Sequence, residues 1–208
     1  MSRFETTNTL GDERDTSQGL TGSKAVLSLV KADVYRYFGR NDMKKVVHGF
    51  ARIPGFRYTA LLRVVQGFGV RHPLGLVALG WKARMGAKYG FQIPKYVTIG
   101  PGFYIGHFGE IVLNRDVAIG RNCNIAHNCT IGQANRGSRQ GTPTLGDCVW
   151  IGTGATIVGG ITIGDNVLIA PGAYVNRDVP DNSVVIGNPA EIRAKDSDAV
   201  EGYVNRRV

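Results

Sequence analysis

The sequence predicts a mainly β protein, in which a coil of hexapeptide repeats follows an N-terminal α-helical region. Glycine is enriched, at 29 of 208 residues, which is about twice its usual share. The composition changes near residue 90, where a helical apolar pattern gives way to glycine, isoleucine, valine and asparagine. From Ile93 onward aliphatic residues recur every six positions, and a short fixed period is typical of a repeat architecture.

The part before residue 90 is expected to be helical after a polar start. Residues 1–23 are rich in Thr, Ser and Gly, which predicts a mobile tail. In residues 24–90, the N-terminal helical region, apolar side chains recur at spacings of three and four, as on one face of an α-helix. Gly39 should end the first helix, and Ile53-Pro54-Gly55 should break the chain. The expected helices cover 24–38, 43–50, 56–70 and 74–88.

Residues 91–190 carry the repeat and form the expected β-coil domain. A small residue usually follows the repeated aliphatic one, because the chain turns there and Gly, Asn or Asp accepts the turn. Three hexapeptides would close one triangular coil, which pairs with the next coil at about 4.8 Å. A β-sandwich is the alternative, but its strands would recur at roughly 8–12 residues instead of a constant six. The strict spacing of six is seen in Ile119, Ile125, Ile131 and again in Ile151, Ile157, Ile163, Ile169.

Two interruptions of the period stand out. A two-residue insertion between Ile105 and Leu113 frees the segment 106–110. The polar, basic loop 133–143 projects from the coil between two regular repeats, and loops on a rigid scaffold often carry binding sites. Residues 191–208 follow the repeat as a C-terminal tail.

Two histidines lie in the coil. His107 and His127 each stand two residues after a repeated aliphatic residue, and they are separated by one coil of three hexapeptides plus the two-residue insertion. We therefore expect them on the same wall, one coil apart. Imidazole is the usual general base for activating a hydroxyl. His107, flanked by glycines, is the candidate base, whereas His127 fits a catalytic or a structural role equally well. Glu110 either orients His107 or is solvated.

The charge balance favours anionic partners. The formal net charge is +9, but the basic residues are scattered without a recognised motif, so we expect no nucleic-acid binding. Several cations accompany the apolar helical faces. They fit either peripheral membrane contact or an ordinary helical cap whose cations reach the solvent. These cations are Arg57, Arg63, Arg71, Lys82 and Arg84.

The cysteines and the N-terminus favour a cytoplasmic protein, at the inner face of the membrane if the helices contact lipid. Cys123, Cys129 and Cys148 fit neither a zinc site nor a disulfide framework. The N-terminus lacks the apolar core of a signal peptide, and no apolar run is long enough to span a bilayer. We expect no metal.

The segment from Ile93 to Pro189 resembles the hexapeptide-repeat acyltransferases, and within them the serine O-acetyltransferase branch. The helical segments KADVYRYFG and IPGFRYTALLR resemble relatives associated with exopolysaccharide and capsule synthesis. The resemblance implies a left-handed parallel β-helix and a homotrimer, with the active site and the CoA cleft between neighbouring β-helices. The segments that carry it are GFYIGHFGEIVLN, NIAHNCTIGQANRGSRQGTPTLGD, VWIGTGATIVGGITIGDNVLIAPGAYV and VIGNPAEI.

The resemblance also implies a chemistry. Acetyl-CoA would be the donor co-substrate and a hydroxyl the acceptor, and His107 matches the family's catalytic histidine. The acetyl group would pass directly, with no acylated residue. Arg193 or Lys195 would meet the CoA phosphates. Backbone groups that would hold the pantetheine belong to Gly132, Gly152, Thr153 and Ala170.

Two departures from the family pattern concern the acceptor. The resemblance implies an aspartate about 15 residues before the base, where this chain has Gln92, and a histidine where it has Thr142. With Arg136 and Arg139 in the loop, we therefore expect a sugar hydroxyl of an anionic polysaccharide or its precursor. Glu110, Arg136, Arg139 and Thr142 are the candidate acceptor-binding residues. The alternatives are a serine O-acetyltransferase of cysteine biosynthesis and a non-catalytic trimeric β-helix scaffold.

Overall fold

The computed structural model describes residues 22–208, so the predicted tail lies almost wholly outside the described residues. Every expected helix is present, with ends that differ by no more than two residues. Gly39 ends the first helix in the left-handed conformation, with φ of 65°. The third helix begins at Pro54, because proline fits the first turn of a helix. The helices are α1 Ser23–Phe38, α2 Met43–Arg52, α3 Pro54–Phe68 and α4 Pro73–Tyr89.

Short strands wind into a three-sided prism. The strands are β1 Phe91–Gln92, β2 Thr98–Ile99, β3 Tyr104–Ile105, β4 Ile111–Leu113, β5 Ala118–Ile119, β6 Asn124–Ile125, β7 Cys129–Gly132, β8 Thr144–Leu145, β9 Trp150–Ile151, β10 Thr156–Val158, β11 Thr162–Ile163, β12 Leu168–Ile169, β13 Tyr174–Val175, β14 Ser183–Ile186 and β15 Glu191–Ala194. Face A contains β1, β4, β7, β10 and β13; face B contains β2, β5, β8 and β11; face C contains β3, β6, β9, β12, β14 and β15. Pairing is parallel except between β14 and β15. The predicted mainly β fold class is confirmed.

The strand register shows where the coil departs from its regular length. Tyr104 pairs with Asn124, Asn124 with Trp150, and Trp150 with Leu168, at intervals of 20, 26 and 18 residues. The last interval is three hexapeptides. The first contains the predicted two-residue insertion, and the second contains the projecting loop.

The side chains explain why the period is six. The repeated aliphatic residues fill a narrow core, and Ile131, Ile151 and Ile157 are fully buried. At the corners the chain takes the left-handed conformation, as at Asn122 and Asn128, with φ of 57° and 59°. Asparagine tolerates this conformation better than most residues. Asparagine is thus found at the corners as predicted, but the predicted position is wrong, because the left-handed residues stand three after the repeated aliphatic ones. The small residue directly after the aliphatic one is needed for packing instead: a Cβ at Gly120 would lie 2.5 Å from the backbone of Gly146 in the next coil.

The helices cap the first coil through buried polar contacts, which corrects the expectation for two cations. Arg63 is only 1% exposed and pairs with Asp33. Lys82 is 8% exposed, and its Nζ donates to the carbonyl of Ile93 at 2.6 Å. Neither belongs to a surface that could face lipid, because each is held by oxygen acceptors inside the protein. In residues 22–208 no helix has the length and hydrophobicity needed to cross a bilayer.

Residues 191–208 fold back along face C. β15 forms an antiparallel hairpin with β14. Val200 and Val204 are buried against Leu168, and the backbone of Val208 hydrogen-bonds the side chain of Asn122. This C-terminal segment therefore covers part of the outer surface of face C.

Candidate active site

His107 and His127 lie side by side on the edge where face C turns into face A, which we call the C–A edge. They follow β3 and β6, and Ile105 pairs with Ile125 in these strands. Their ring centroids are 5.9 Å apart and the ring planes are nearly perpendicular, at 83°. The predicted arrangement, one wall and one coil apart, is confirmed. His107 is exposed, whereas His127 is half-buried.

The helical cap holds the segment that carries His107. The hydroxyl of Tyr37 accepts from the N–H of Ile105 and donates to its carbonyl, both at 3.0 Å. On the other side, the Gly109 N–H donates to the carbonyl of Tyr89 at 3.0 Å. The ring of Phe108 packs on that of Tyr89, with centroids 5.3 Å apart. The insertion is therefore anchored on both sides of the exposed imidazole.

The surroundings of His127 favour a supporting role. Its Nδ1 is buried and has no hydrogen-bond partner among residues 22–208. Gly109 packs directly over it, and a Cβ at Gly109 would lie 2.9 Å from the Cβ of His127. Because Gly109 also has φ of 143°, this close approach requires glycine. His127 thus supports the 106–110 segment by packing under Gly109.

The C–A edge continues through three more of the predicted CoA-binding residues. Gly152 and Thr153 follow β9, and Ala170 follows β12. The N–H groups of Gly152 and Ala170 already donate to carbonyls of the next coil, those of Ile169 and Val185, both at 2.8 Å. Gly152 and Ala170 therefore present a close-packed surface to a CoA molecule on this edge, but their N–H groups are not free to donate to it.

The remaining predicted residues are spread over the same chain, and only Glu110 shares the C–A edge with His107. Gly132 ends β7 on face A, next to the projecting loop, on the edge where face A turns into face B, the A–B edge. Arg193 pairs with Glu191 in the β14–β15 hairpin at 3.1 Å, and Lys195 is exposed just after it. Glu110 is exposed and makes no hydrogen bond to His107 within residues 22–208.

The projecting loop also leaves from the A–B edge. Ala134 and Gly141 pair across its base, and the Thr142 hydroxyl donates to the carbonyl of Asp116 at 3.2 Å. Arg136 is exposed, whereas Arg139 forms an exposed ion pair with Asp178 at 3.1 Å. Within one chain, the loop and His107 therefore lie on different edges of the prism.

Sequence reasoning missed the residues that position the segment. Helical periodicity treats Tyr37 only as an apolar residue of α1, although its hydroxyl makes two hydrogen bonds to Ile105 in β3. Burial raises the pKa of this hydroxyl, so it stays protonated at neutral pH.

Cys129 lies near the C–A edge. Burial raises the pKa of its thiol, which contacts the Gly152 carbonyl at 3.1 Å. Cys129 is therefore a packing residue and not a nucleophile.

Comparison with known proteins relates this geometry to a group of enzymes. The family model "Bacterial transferase hexapeptide (six repeats)" matches residues 142–177. Serine acetyltransferase 2 of Arabidopsis thaliana is 32% identical over 133 residues, which cover 62% of this chain and 41% of the plant protein. A putative serine acetyltransferase of Schizosaccharomyces pombe is 29% identical over 176 residues, covering 83% of this chain and 63% of that protein. The chain thus spans about two fifths of the plant relative's length.

Solved structures agree with the sequence matches. Serine acetyltransferase of Neisseria gonorrhoeae in complex with serine has a TM-score of 0.64 and 28% identity, over 81% of this chain and 69% of that chain. Soybean serine acetyltransferase complexed with serine has a TM-score of 0.68 and 28% identity, over 82% and 70%.

These matches contradict the predicted sugar acceptor and favour the serine alternative. The prediction depended on charge and on two substitutions, Gln92 and Thr142. The structure shows why the charge was misleading: Arg63 and Lys82 are buried, and Arg139 is paired with Asp178. The described part of the chain is thus a left-handed, hexapeptide-repeat β-helix with a helical cap, similar in sequence and in fold to serine acetyltransferases.

Proposed function

We propose that this chain is an acetyl-CoA-dependent O-acetyltransferase whose acceptor is the hydroxyl of serine. The similar proteins carry the name serine acetyltransferase, and two of the similar solved structures are complexes with serine. The observation that carries the proposal for this chain is the exposed imidazole of His107. It stands on an anchored, glycine-flanked segment at one edge of the prism.

His107 acts as the general base in a direct transfer. Its ring nitrogen takes the proton of the serine hydroxyl while the oxygen attacks the thioester carbonyl carbon. The carbon–sulfur bond then breaks, and the imidazolium returns the proton to the CoA thiolate. A positioned general base contributes about 10²–10⁴ in rate. His127 and Tyr37 act through position, by keeping the 106–110 segment in place.

The site is completed by a second copy of the chain. The loop 133–143 and Gly132 lie on the A–B edge, whereas His107, Gly152, Thr153 and Ala170 lie on the C–A edge. A closed trimer with three-fold symmetry brings one edge of each copy to the other edge of its neighbour. Acetyl-CoA then lies between copies, with Arg193 and Lys195 available to its phosphates and Arg136 and Thr142 supplied by the neighbouring loop.

The acceptor is tested by comparing rates of acetyl transfer. Purified protein with labelled acetyl-CoA is given L-serine, a monosaccharide or water alone as acceptor. We expect O-acetylserine as the main product, with sugar transfer and hydrolysis at least tenfold slower. Faster transfer to the sugar would overturn the serine assignment. Absence of both transfer and acetyl-CoA binding would support the non-catalytic scaffold instead.

The shared site is tested by complementation. One variant carries His107→Ala, and a second carries a short Gly-Ser link in place of residues 133–143. Each alone should be inactive, while co-expression should restore activity, because mixed trimers contain some sites with an intact histidine and an intact loop. Lack of restoration in mixtures shown to contain both chains would contradict the shared site. Mixing the purified proteins without subunit exchange is the control.

A further inference from the structure

A cavity lies on face C, between α1 and the C-terminal segment. It has a volume of about 610 Å³. Its floor comes from face C, one wall from α1, and the other wall from residues 202–206. Its lining includes Arg36, Tyr37, Tyr104, Trp150, Tyr203 and Arg206. Tyr37 also positions the segment that carries His107, but the acetyl-transfer mechanism places no ligand in this cavity.

Arg36 is the unusual residue of the cavity, because it is a buried cation without an anion. Its side chain is 5% exposed, and within residues 22–208 no carboxylate pairs with it. Nε donates to the Asn205 carbonyl at 2.9 Å, Nη1 to the Gly102 carbonyl at 2.7 Å, and Nη2 to Asn124 Oδ1 at 2.7 Å. A guanidinium has five N–H groups, so one on each terminal nitrogen is still available.

Arg63 provides an internal comparison in the same helical cap. It is equally buried, but it pairs with Asp33 and also donates to two backbone carbonyls. Buried charges in proteins are normally paired in this way. Burial lowers the pKa of Arg36, and no carboxylate of residues 22–208 pairs with it to offset this cost. Arg36 therefore lacks the counter-charge that Arg63 has, and it lines a cavity with room for a small anion.

The other walls indicate what kind of anion fits. A second cation, Arg206, lines the cavity and is exposed. The rings of Trp150 and Tyr203 pack at 4.9 Å, and those of Tyr37 and Tyr104 at 4.3 Å. The cavity thus combines guanidinium groups, which suit carboxylates and phosphates, with flat aromatic surfaces that suit a ring.

We propose that this cavity is a binding site for a small organic anion, which places its phosphate or carboxylate on Arg36 and its ring-shaped body against the aromatic walls. The site is separate from the acetyl-transfer site, although its floor is joined to the catalytic edge. Tyr37 bonds to Ile105, two residues before His107. Tyr104 lies against Gly106, where an added Cβ would be 2.9 Å from the tyrosine ring.

Calorimetric binding of phenyl phosphate, benzoate and inorganic phosphate tests the proposal, with phenol as the uncharged control. We expect phenyl phosphate or benzoate to bind at least tenfold more tightly than inorganic phosphate, and phenol not to bind. The stronger of the two ring-bearing ligands identifies the anion type. No binding of either at millimolar concentration, or inorganic phosphate binding equally well, would overturn the proposal.

Variants locate the site. Arg36→Met should abolish binding, but it also removes three structural hydrogen bonds. Arg206→Met is therefore the second variant; it removes one hydrogen bond, from Nη1 to the Tyr37 carbonyl, and should weaken binding about tenfold. Arg84→Met, an exposed arginine on α4, is the matched control and should bind as the parent protein does. Equal weakening by Arg84→Met and Arg206→Met would indicate unspecific attraction and contradict the site.

Competition with CoA tests whether the cavity is separate from the acetyl-transfer site. Saturating CoA should leave phenyl phosphate binding intact. Displacement of phenyl phosphate by CoA would contradict a separate site, whether or not the acetyl transfer is confirmed.

Discussion

The ion pair between Asp33 and Arg63 is predicted to hold the helical cap on the β-helix. Asp33 is fully buried and Arg63 is 1% exposed, with Nε and Oδ2 2.9 Å apart. Asp33 Oδ1 also accepts from the N–H groups of Gly102 and Phe103, both at 2.9 Å. One carboxylate therefore joins α1, α3 and the turn before β3.

The substitution Asp33→Asn removes the negative charge but keeps the size of the side chain and an oxygen for the two backbone donors. It leaves the Arg63 guanidinium buried and uncompensated. Breaking a buried pair in this way costs about 3–5 kcal/mol, a large part of the 5–15 kcal/mol that is roughly typical of a whole protein. The double variant Asp33→Asn/Arg63→Met removes both charges, keeps the oxygen that the N–H groups of Gly102 and Phe103 need, and should be less destabilised than Asp33→Asn.

Urea unfolding at a fixed protein concentration measures these differences. Arg40→Met is the control, because Arg40 forms an exposed pair with Asp42; its unfolding midpoint should stay unchanged. A loss below about 1 kcal/mol for Asp33→Asn, as in surface pairs, would show that this buried pair does not hold the cap. A double variant less stable than Asp33→Asn would contradict the cost of the uncompensated charge.

Three further predictions concern packing, pH and the corners of the coil. Gly55→Ala places a Cβ 2.4 Å from the Ile105 carbonyl oxygen, so it should destabilise the protein and slow acetyl transfer. Gly80→Ala is the control, because an added Cβ there has nothing within 4 Å, and it should stabilise the protein by about 0.5–1 kcal/mol. Unfolding curves and acetyl-transfer rates of both variants check this. Burial lowers the pKa of Lys82 to about 8 from 10.5, so between these values the unfolded chain binds more protons and the stability contribution rises with pH. The stability of the parent relative to Lys82→Met should therefore increase by about 3 kcal/mol from pH 7 to pH 11, and a difference independent of pH would contradict it. Cys148 has φ of 57° at a corner where neighbouring coils have asparagine, so Cys148→Asn should raise the unfolding free energy by about 1 kcal/mol; a loss of stability would show that thiol packing matters more.

The prism and the pairing of the two histidines could be predicted because both follow from counting. A constant period of six sets which residues enter the core, and the length of one coil sets which residues are neighbours on a wall. The same counting could have placed Arg136, Arg139 and Thr142 on a different edge from His107. The loop leaves after a strand of face A, whereas His107 follows a strand of face C.

Contacts between distant polar groups could not be predicted in this way. Hydrophobic periodicity assigns Arg63 and Lys82 to an exposed face, since it contains no information on the carbonyls of Gly100 and Ile93 that accept from them. The prediction of a sugar acceptor was wrong for a related reason. It compared Gln92 and Thr142 with a sequence pattern one residue at a time, although the geometry of the whole edge determines what binds there.

In the proposed acetyl transfer His107 moves the proton, and this role is measured by the initial rate of O-acetylserine formation by His107→Ala. We predict a fall in kcat of about 10²–10⁴ with unchanged affinity for acetyl-CoA, and a smaller fall for His127→Ala. A His107→Ala variant that is folded, binds acetyl-CoA and keeps the rate of the parent would contradict the account.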